Sequence, residues 1–217
     1  MNPIKRILSH PSCYHYIRQI MTGGLPFRDW IRLYGFNDTS ERIADLGCGP
    51  ADILRYLSPQ CRPGFYLGID ISERYLDSAR QRAVKAGVNA EFHALDLVRL
   101  PHDRAVQSQL VDLLEAQKIS RVLLMGVLHH IDNESARATL NLVHQVASVR
   151  SLITADVIRI PGRFMNNLYC RLDRGEFIRE EAGYDALIAK SAWRISGKRW
   201  TAPGASFVKN LHYILEK

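Results

Sequence analysis

Ile43-Ala-Asp-Leu-Gly-Cys-Gly-Pro50 is the stretch on which the fold turns. Arg42 to Leu46 predicts a short buried strand. The glycines at 47 and 49 predict a tight turn whose backbone can approach a ligand closely or adopt conformations closed to other residues. Ala51 to Leu57 then reads as a helix, stopped at Pro59. Strand, glycine turn and helix in that order open a parallel α/β unit. Taken alone, the loop serves equally as a plain tight turn.

Downstream the same grammar repeats. Phe65 to Ile69 predicts a second strand, and Ser72 caps a helix from Glu73 to Ala86 that stops at Gly87. Asn89 to Leu95 gives a third strand, and Ala105 to Lys118 a helix with Val106, Leu110, Leu113 and Leu114 on one face. Arg121-Val-Leu-Leu-Met125 is apolar after its arginine, the texture of a strand buried on both faces in the middle of a parallel sheet. Asp132 or Asn133 caps a long helix to Val149, and Ser151 to Val157 supplies a fifth strand. Beyond residue 160 the alternation stops. Residues 161–190 read as a helical, loop-rich lid, and Ala192 to Arg199 with Phe207 to Leu215 as a closing antiparallel pair. Upstream, Ile4, Ile7, Leu8, Tyr14, Ile17 and Ile20 fall at helical spacing. Gly23-Gly24 and Pro26 break that helix before a short one around Arg28 to Tyr34. The expectation is an α/β domain over 41–217, a doubly wound seven-stranded mostly parallel sheet with a C-terminal antiparallel strand pair, preceded by a helical N-terminal cap over 1–40.

Size and composition agree with one core. The chain has 217 residues, 47% of them hydrophobic and 24% charged, which suits a single globular domain. A net charge of +7 admits an anionic partner, but the basic residues never form a run of five, which weighs against RNA and favours a solvated basic surface. Cys13, Cys48, Cys61 and Cys170 show no paired or metal-ligand spacing. Ile7-Leu8 is too short for a signal peptide and Val122–Leu128 too short to span a bilayer. A cytoplasmic protein without a membrane or DNA partner is expected, its oligomeric state open.

In an open α/β sheet, ligands bind beyond the carboxyl ends of the strands. Asp45, Gly47, Cys48 and Gly49 stand after the first strand, Asp70 and Ile71 after the second, and Asp96 and Leu97 after the third. A carboxylate at 70 can accept from both hydroxyls of a ribose, or merely cap the following helix. One at 96 can accept from an adenine amino group while Leu97 and Ile71 sandwich the ring, or simply open a loop. A dinucleotide fingerprint would need glycine at 52. The chain has Asp52, whose charge repels a pyrophosphate at a helix N-terminus.

In order and spacing these strand ends resemble those of the class I S-adenosylmethionine-dependent methyltransferases, over roughly residues 40 to 160. The resemblance implies a Rossmann-like fold and S-adenosylmethionine as cofactor. Asp45, Gly47 and Gly49 would then line its methionine and ribose part, Asp70 the ribose and Asp96 the adenine. The third small position of the loop is Ala51 rather than glycine. Met125-Gly-Val-Leu-His-His-Ile131 resembles the segment after the fourth strand in the family's small-molecule enzymes. Met125 and Gly126 would face the sulfonium, and His129 and His130 the acceptor. The Asn-Pro-Pro-Tyr or Asp-Pro-Pro-Tyr signature of enzymes that methylate nucleic-acid amines is absent.

Histidine is the natural base for a hydroxyl acceptor, and of the two His130 is preferred over His129; one of them could instead pack and cap the helix begun at Asp132. Asp156 reads as structural. Leu172-Asp-Arg-Gly-Glu-Phe-Ile-Arg179 resembles an Asp-Arg-Gly-x-x-x-Arg stretch of a bacterial subgroup, in which Gly23-Gly24 and Arg28 also have counterparts. Arg174, Arg179 and Arg28 are candidates to hold an anionic substrate, or to tie lid helices to the core. Tyr14 and Tyr16 could line the pocket or pack in the core. No metal site is expected, because His129 and His130 are adjacent and no acidic cluster accompanies them in sequence. The expected reaction moves a methyl group to a hydroxyl or amine of a metabolite, sugar or natural-product intermediate. RNA methylation, or another chemistry on the same cofactor, is the alternative.

Overall fold

The computed structural model describes residues 27–58, 60–173, 175–201 and 208–217. The first helix expected in the cap, with Tyr14, Tyr16 and Gly23-Gly24, lies outside the described residues, as do Pro59 and Arg174.

Seven strands form one sheet in the order β3-β2-β1-β4-β5-β7-β6. They are β1 (Arg42–Leu46), β2 (Phe65–Asp70), β3 (Ala90–Ala94), β4 (Arg121–Met125), β5 (Ser151–Val157), β6 (Arg194–Thr201) and β7 (Asn210–Glu216). The first five are parallel. β7 inserts antiparallel between β5 and β6. The helices are α1 (Phe27–Leu33), α2 (Glu73–Ala86), α3 (Arg104–Ala116), α4 (Asn133–Gln145), α5 (Phe164–Leu172) and α6 (Glu181–Ala189).

Side chains alternate across a strand, so each central strand feeds two cores. Ala44, Leu46, Leu67, Val122, Leu124 and Leu152 meet α3, α4 and α6 through Leu110, Leu140 and Leu187. Ile43, Tyr66, Leu123 and Ile153 meet Trp30 of α1, Tyr34 just after it, and Ala79 and Ala83 of α2. This covering of both faces explains why Arg121–Met125 carries no polar alternation. Local chemistry fixes the helix ends: Ser72 Oγ accepts from the Tyr75 amide, Asp132 accepts from the Glu134 and Ser135 amides, and Gly87 closes α2 in the left-handed conformation.

Several expectations need correction. Ala51 to Leu57 is not an α-helix but a 3-10 turn over Asp52–Tyr56, entered through Ala51 at φ 51°. The helix from Asp132 ends at Gln145 rather than Val149. The closing pair begins two to three residues later than its sequence suggests. Residues 161–190 hold the two helices α5 and α6.

Candidate active site

The carboxyl ends of β1, β2 and β4 converge where strand order reverses, between β1 and β4. Gly47 and Cys48 donate their amides to the Ile69 carbonyl at 2.7 and 2.9 Å. Asp70 accepts the Gly49 amide at 2.8 Å on one oxygen and the Ser72 amide at 2.9 Å on the other. Both carboxylate oxygens keep a further lone pair. Gly49 has φ +54°, and a Cβ there would meet nothing within 4 Å, so its side faces open space. At Gly47, by contrast, a Cβ would strike Val127 at 2.5 Å; that glycine serves close packing. The Cys48 thiol is pushed up by burial and by the Asp45 and Asp70 carboxylates, which keeps it an inert packing group.

Asp45 is buried beneath this loop. Tyr66 donates to its Oδ2 at 2.7 Å, and Oδ1 has no hydrogen-bond partner. Burial raises its carboxyl to about 7 against the lowering effect of that bond. A buried carboxylate oxygen without a donor invites a cationic ligand group. Asp96 stands at the end of β3 and accepts from the Val98 amide at 2.9 Å, capping a short 3-10 turn. Beside it Leu97 is buried while Ile71 is 67% exposed. The two therefore present unequal walls: one is part of the core and the other a free flap.

After β4, Gly126 takes φ +73° and donates its amide to the Ala155 carbonyl at 2.7 Å, with Met125 half-buried before it. His129 and His130 then part company. His130 is exposed; His129 is buried, the two rings stacking at 4.1 Å. His129 Nδ1 lies 2.8 Å from Asp156 Oδ1, which also accepts the His129 amide at 3.2 Å. Its Nε2 faces Asp173 Oδ1 at 3.4 Å. Burial pulls the imidazole pKa down, but the hydrogen bonds and charges of the two carboxylates outweigh it and raise it to about 9. Burial pushes the Asp173 carboxyl up, and the bonds and charge of His129 pull it further down, well below the ordinary carboxylate range. His129 is thus an imidazolium at neutral pH, which removes it from the candidate bases. Asp156 and Asp173 accompany it in space although none does in sequence, and Asp156 is as much part of the site as of the scaffold.

Arg179 also differs from expectation. Its guanidinium donates to the Leu128 carbonyl, to the Phe177 and Ile131 carbonyls at 3.0 Å, and to Asn133 Oδ1 at 3.0 Å. Two of these four bonds hold the loop after β4, and the other two go to its own segment and to the start of α4. The side chain of Arg28 lies outside the described residues.

His129, His130 and Asp173 each offer a donor atom within 4.8 Å of the others. That envelope is wider than the ~4.2 Å that two ligands of one zinc-sized ion can span. Both His129 nitrogens face carboxylates, as in an ion network. Sequence reasoning missed Tyr34, just after α1. Its hydroxyl pairs with His212 Nδ1 at 2.8 Å, and burial first, then the charges of Asp45 and Asp156, push its pKa up. An aromatic at helical spacing gave no sign of this placement.

Residues 43–148 match a family model described as a methyltransferase domain. No curated protein sequence matches the chain. Among solved structures, a magnesium protoporphyrin IX methyltransferase from Synechocystis with bound S-adenosylhomocysteine aligns at 19% identity. That alignment covers 88% of this chain and 82% of the other, with a TM-score of 0.60. An S-adenosylmethionine-dependent methyltransferase from Clostridium acetobutylicum aligns at 12% identity over 94% and 96% of the two chains, TM-score 0.63. The mitomycin 7-O-methyltransferase aligns at 17% identity over 99% of this chain and 60% of its own, TM-score 0.62. Among the described residues, no helix is long and apolar enough to cross a membrane.

Proposed function

We propose, from the premise that the chain belongs to the class I S-adenosylmethionine-dependent methyltransferases, that it methylates a hydroxyl or amine of a small molecule. The observation that carries this reading is the position of His130. It is exposed just beyond Gly126 at the carboxyl end of β4, beside a buried partner histidine and under the segment that follows α5. Small-molecule enzymes among the structural relatives support the same substrate class.

The residues present fit the cofactor. Gly49 offers an open cradle, Asp45 a buried oxygen in need of a cationic donor, and Asp70 two oxygens with acceptor capacity. Asp45 would hold the ammonium group, Asp70 the ribose hydroxyls, and Asp96 with Leu97 and Ile71 the adenine end. Bound S-adenosylmethionine supplies an electrophilic methyl carbon on a sulfonium. Gly126 keeps the β4 loop free of a side chain next to the transfer line, and the lid segment excludes water from it. His130 would take up the proton that a hydroxyl or amine acceptor gives up on methylation. Cys48, Cys61 and Cys170 are free thiols, which fits work in the cytoplasm.

The test is methyl transfer from radiolabelled S-adenosylmethionine to a panel of hydroxyl- and amine-bearing metabolites, with bulk RNA alongside. Label in a small acceptor is expected; label in RNA alone would overturn the substrate class.

A further inference from the structure

We infer that His129 is a positioning residue, a buried ring clasped between Asp156 and Asp173, through which Asp173, Gly175, Phe177 and Arg179 lock the β4 loop and set the place of His130. The inference rests on the reading of His130 as the acceptor-facing group.

Four independent contacts converge on this loop from the one segment. Asp173 faces the imidazole Nε2 at 3.4 Å. The same Asp173 oxygen accepts the Gly175 amide at 2.7 Å, which folds the segment back over the ring. A Cβ on Gly175 would lie 2.3 Å from His129 Cδ2 and 2.7 Å from its carbonyl oxygen, so only glycine lets the segment come this close. Phe177 donates its amide to the His129 carbonyl at 3.0 Å, and Arg179 grips the Leu128 and Ile131 carbonyls on either side of the histidine pair. The segment is tied in turn to the strand that carries Asp156, through the Arg159 amide on the Arg179 carbonyl at 3.0 Å.

The charges explain why a histidine stands here. Asp156 and Asp173 are both buried, and two buried carboxylates without a cation between them are costly. An imidazolium offers a donor on each side, one to Asp156 Oδ1 and one to Asp173 Oδ1, and leaves Asp156 Oδ2 without a partner. The other titratable groups around it are His130, stacked on its ring, and Tyr184 of α6, whose hydroxyl donates to the Val157 carbonyl at 3.0 Å. Arg179 adds a second positive charge on the loop's carbonyl face. A lid segment that grips the transfer loop through a buried charge has one arrangement, and His130 is held at its edge. The Asp-Arg-Gly-x-x-x-Arg stretch thereby acquires a role: its Asp, Gly and final Arg are the parts of the clasp.

The experiment is nitrogen-detected NMR of the histidine rings in the full-length protein, with and without S-adenosylhomocysteine, for the wild type, Asp173→Asn and Arg179→Lys. In the wild type both His129 ring nitrogens should carry protons at pH 8. Asp173→Asn should leave the fold's amide spectrum in place, lower the pH at which His129 loses its second proton, and shift the His130 ring signals. Arg179→Lys should shift His130 while His129 stays doubly protonated. A neutral His129 at pH 7 in the wild type, or His130 signals unmoved by both variants, would overturn the inference. Failure of S-adenosylhomocysteine to perturb the Gly47–Gly49 amides would overturn the cofactor reading instead, and the two failures are read from different signals.

Discussion

The Gly49 amide donates to the Asp70 carboxylate at 2.8 Å, so the ends of β1 and β2 form one preorganised unit. Asp70 also accepts from Ser72, which holds the start of α2 in register with the glycine loop. Removing this carboxylate takes away the brace between the glycine loop and α2 and, on the proposed reading, the acceptor for the ribose. Asp70→Ala should weaken S-adenosylhomocysteine binding by about tenfold to a hundredfold, from the ~1.5–3 kcal/mol of hydrogen bonds to a charged group. Isothermal titration reads it. An unchanged affinity would reduce Asp70 to a loop brace, and tight binding of NAD by the wild type would sink the cofactor assignment.

Asp45 makes the site sensitive to pH. Its folded carboxyl titrates at about 7, raised chiefly by burial, against an ordinary value of 3.8. The folded protein therefore binds a proton that the unfolded chain has already lost, and this contribution to stability is present below about pH 4 and lost as pH rises through 7. The ligand-free protein should lose melting temperature over that window, and Asp45→Asn should flatten the loss. Ligand binding runs the other way, because a cationic group prefers the ionised carboxylate. S-adenosylhomocysteine affinity should climb between pH 6 and 8 in the wild type and stay level in Asp45→Asn. A level wild-type profile would show that Asp45 keeps one ionisation state throughout.

What the sequence made legible follows from where the signal is local. Arg42–Leu46, Arg121–Met125 and Ser151–Val157 match their expected bounds because burial on both faces makes each mostly apolar, with Asp45, Thr154 and Asp156 as the buried polar exceptions. β6 did not, because it is an edge strand exposed on both faces and shows no alternation to read. The turn after Gly49 was misread because Ala51 adopts a left-handed conformation that its composition does not advertise. The residues proposed to hold the cofactor, Asp45, Gly49 and Asp70, stand at or just beyond strand ends, where an open α/β sheet receives its ligands. The His129 environment was hidden because its two carboxylates come from β5 and from the segment after α5, and only tertiary packing brings them together.

The division of labour between the adjacent histidines gives a kinetic prediction. His130→Ala should lower turnover on an acceptor found in the metabolite panel by about a hundredfold to ten-thousandfold, the usual worth of a positioned base. S-adenosylhomocysteine affinity should stay within about twofold of wild type, since Asp45, Gly49 and Asp70 belong to β1, β2 and the loop between them whereas His130 follows β4. Unchanged turnover would mean that the acceptor sheds its proton to water and that the exposed ring serves binding alone.

At the opposite, amino-terminal end of the strands, Glu41 tests whether stability and cofactor binding are separable. Its buried carboxylate accepts from Ser120 Oγ, from Arg121 at 3.1 Å and from Arg150 at 3.4 Å, beneath the amino ends of β4 and β5. Glu41→Ala leaves the partly buried Arg121 guanidinium without its counter-charge, a loss of about 3–5 kcal/mol for a buried pair. Arg150 is largely exposed and adds little to that figure. The melting temperature should fall by several degrees, while S-adenosylhomocysteine affinity measured well below the transition should not change. The cradle sits at the carboxyl ends of the same strands, a full strand length away, and the intervening residues are packed core with no second arrangement to adopt. A variant that lost affinity in proportion to its stability would show instead that the two ends of the sheet are mechanically coupled.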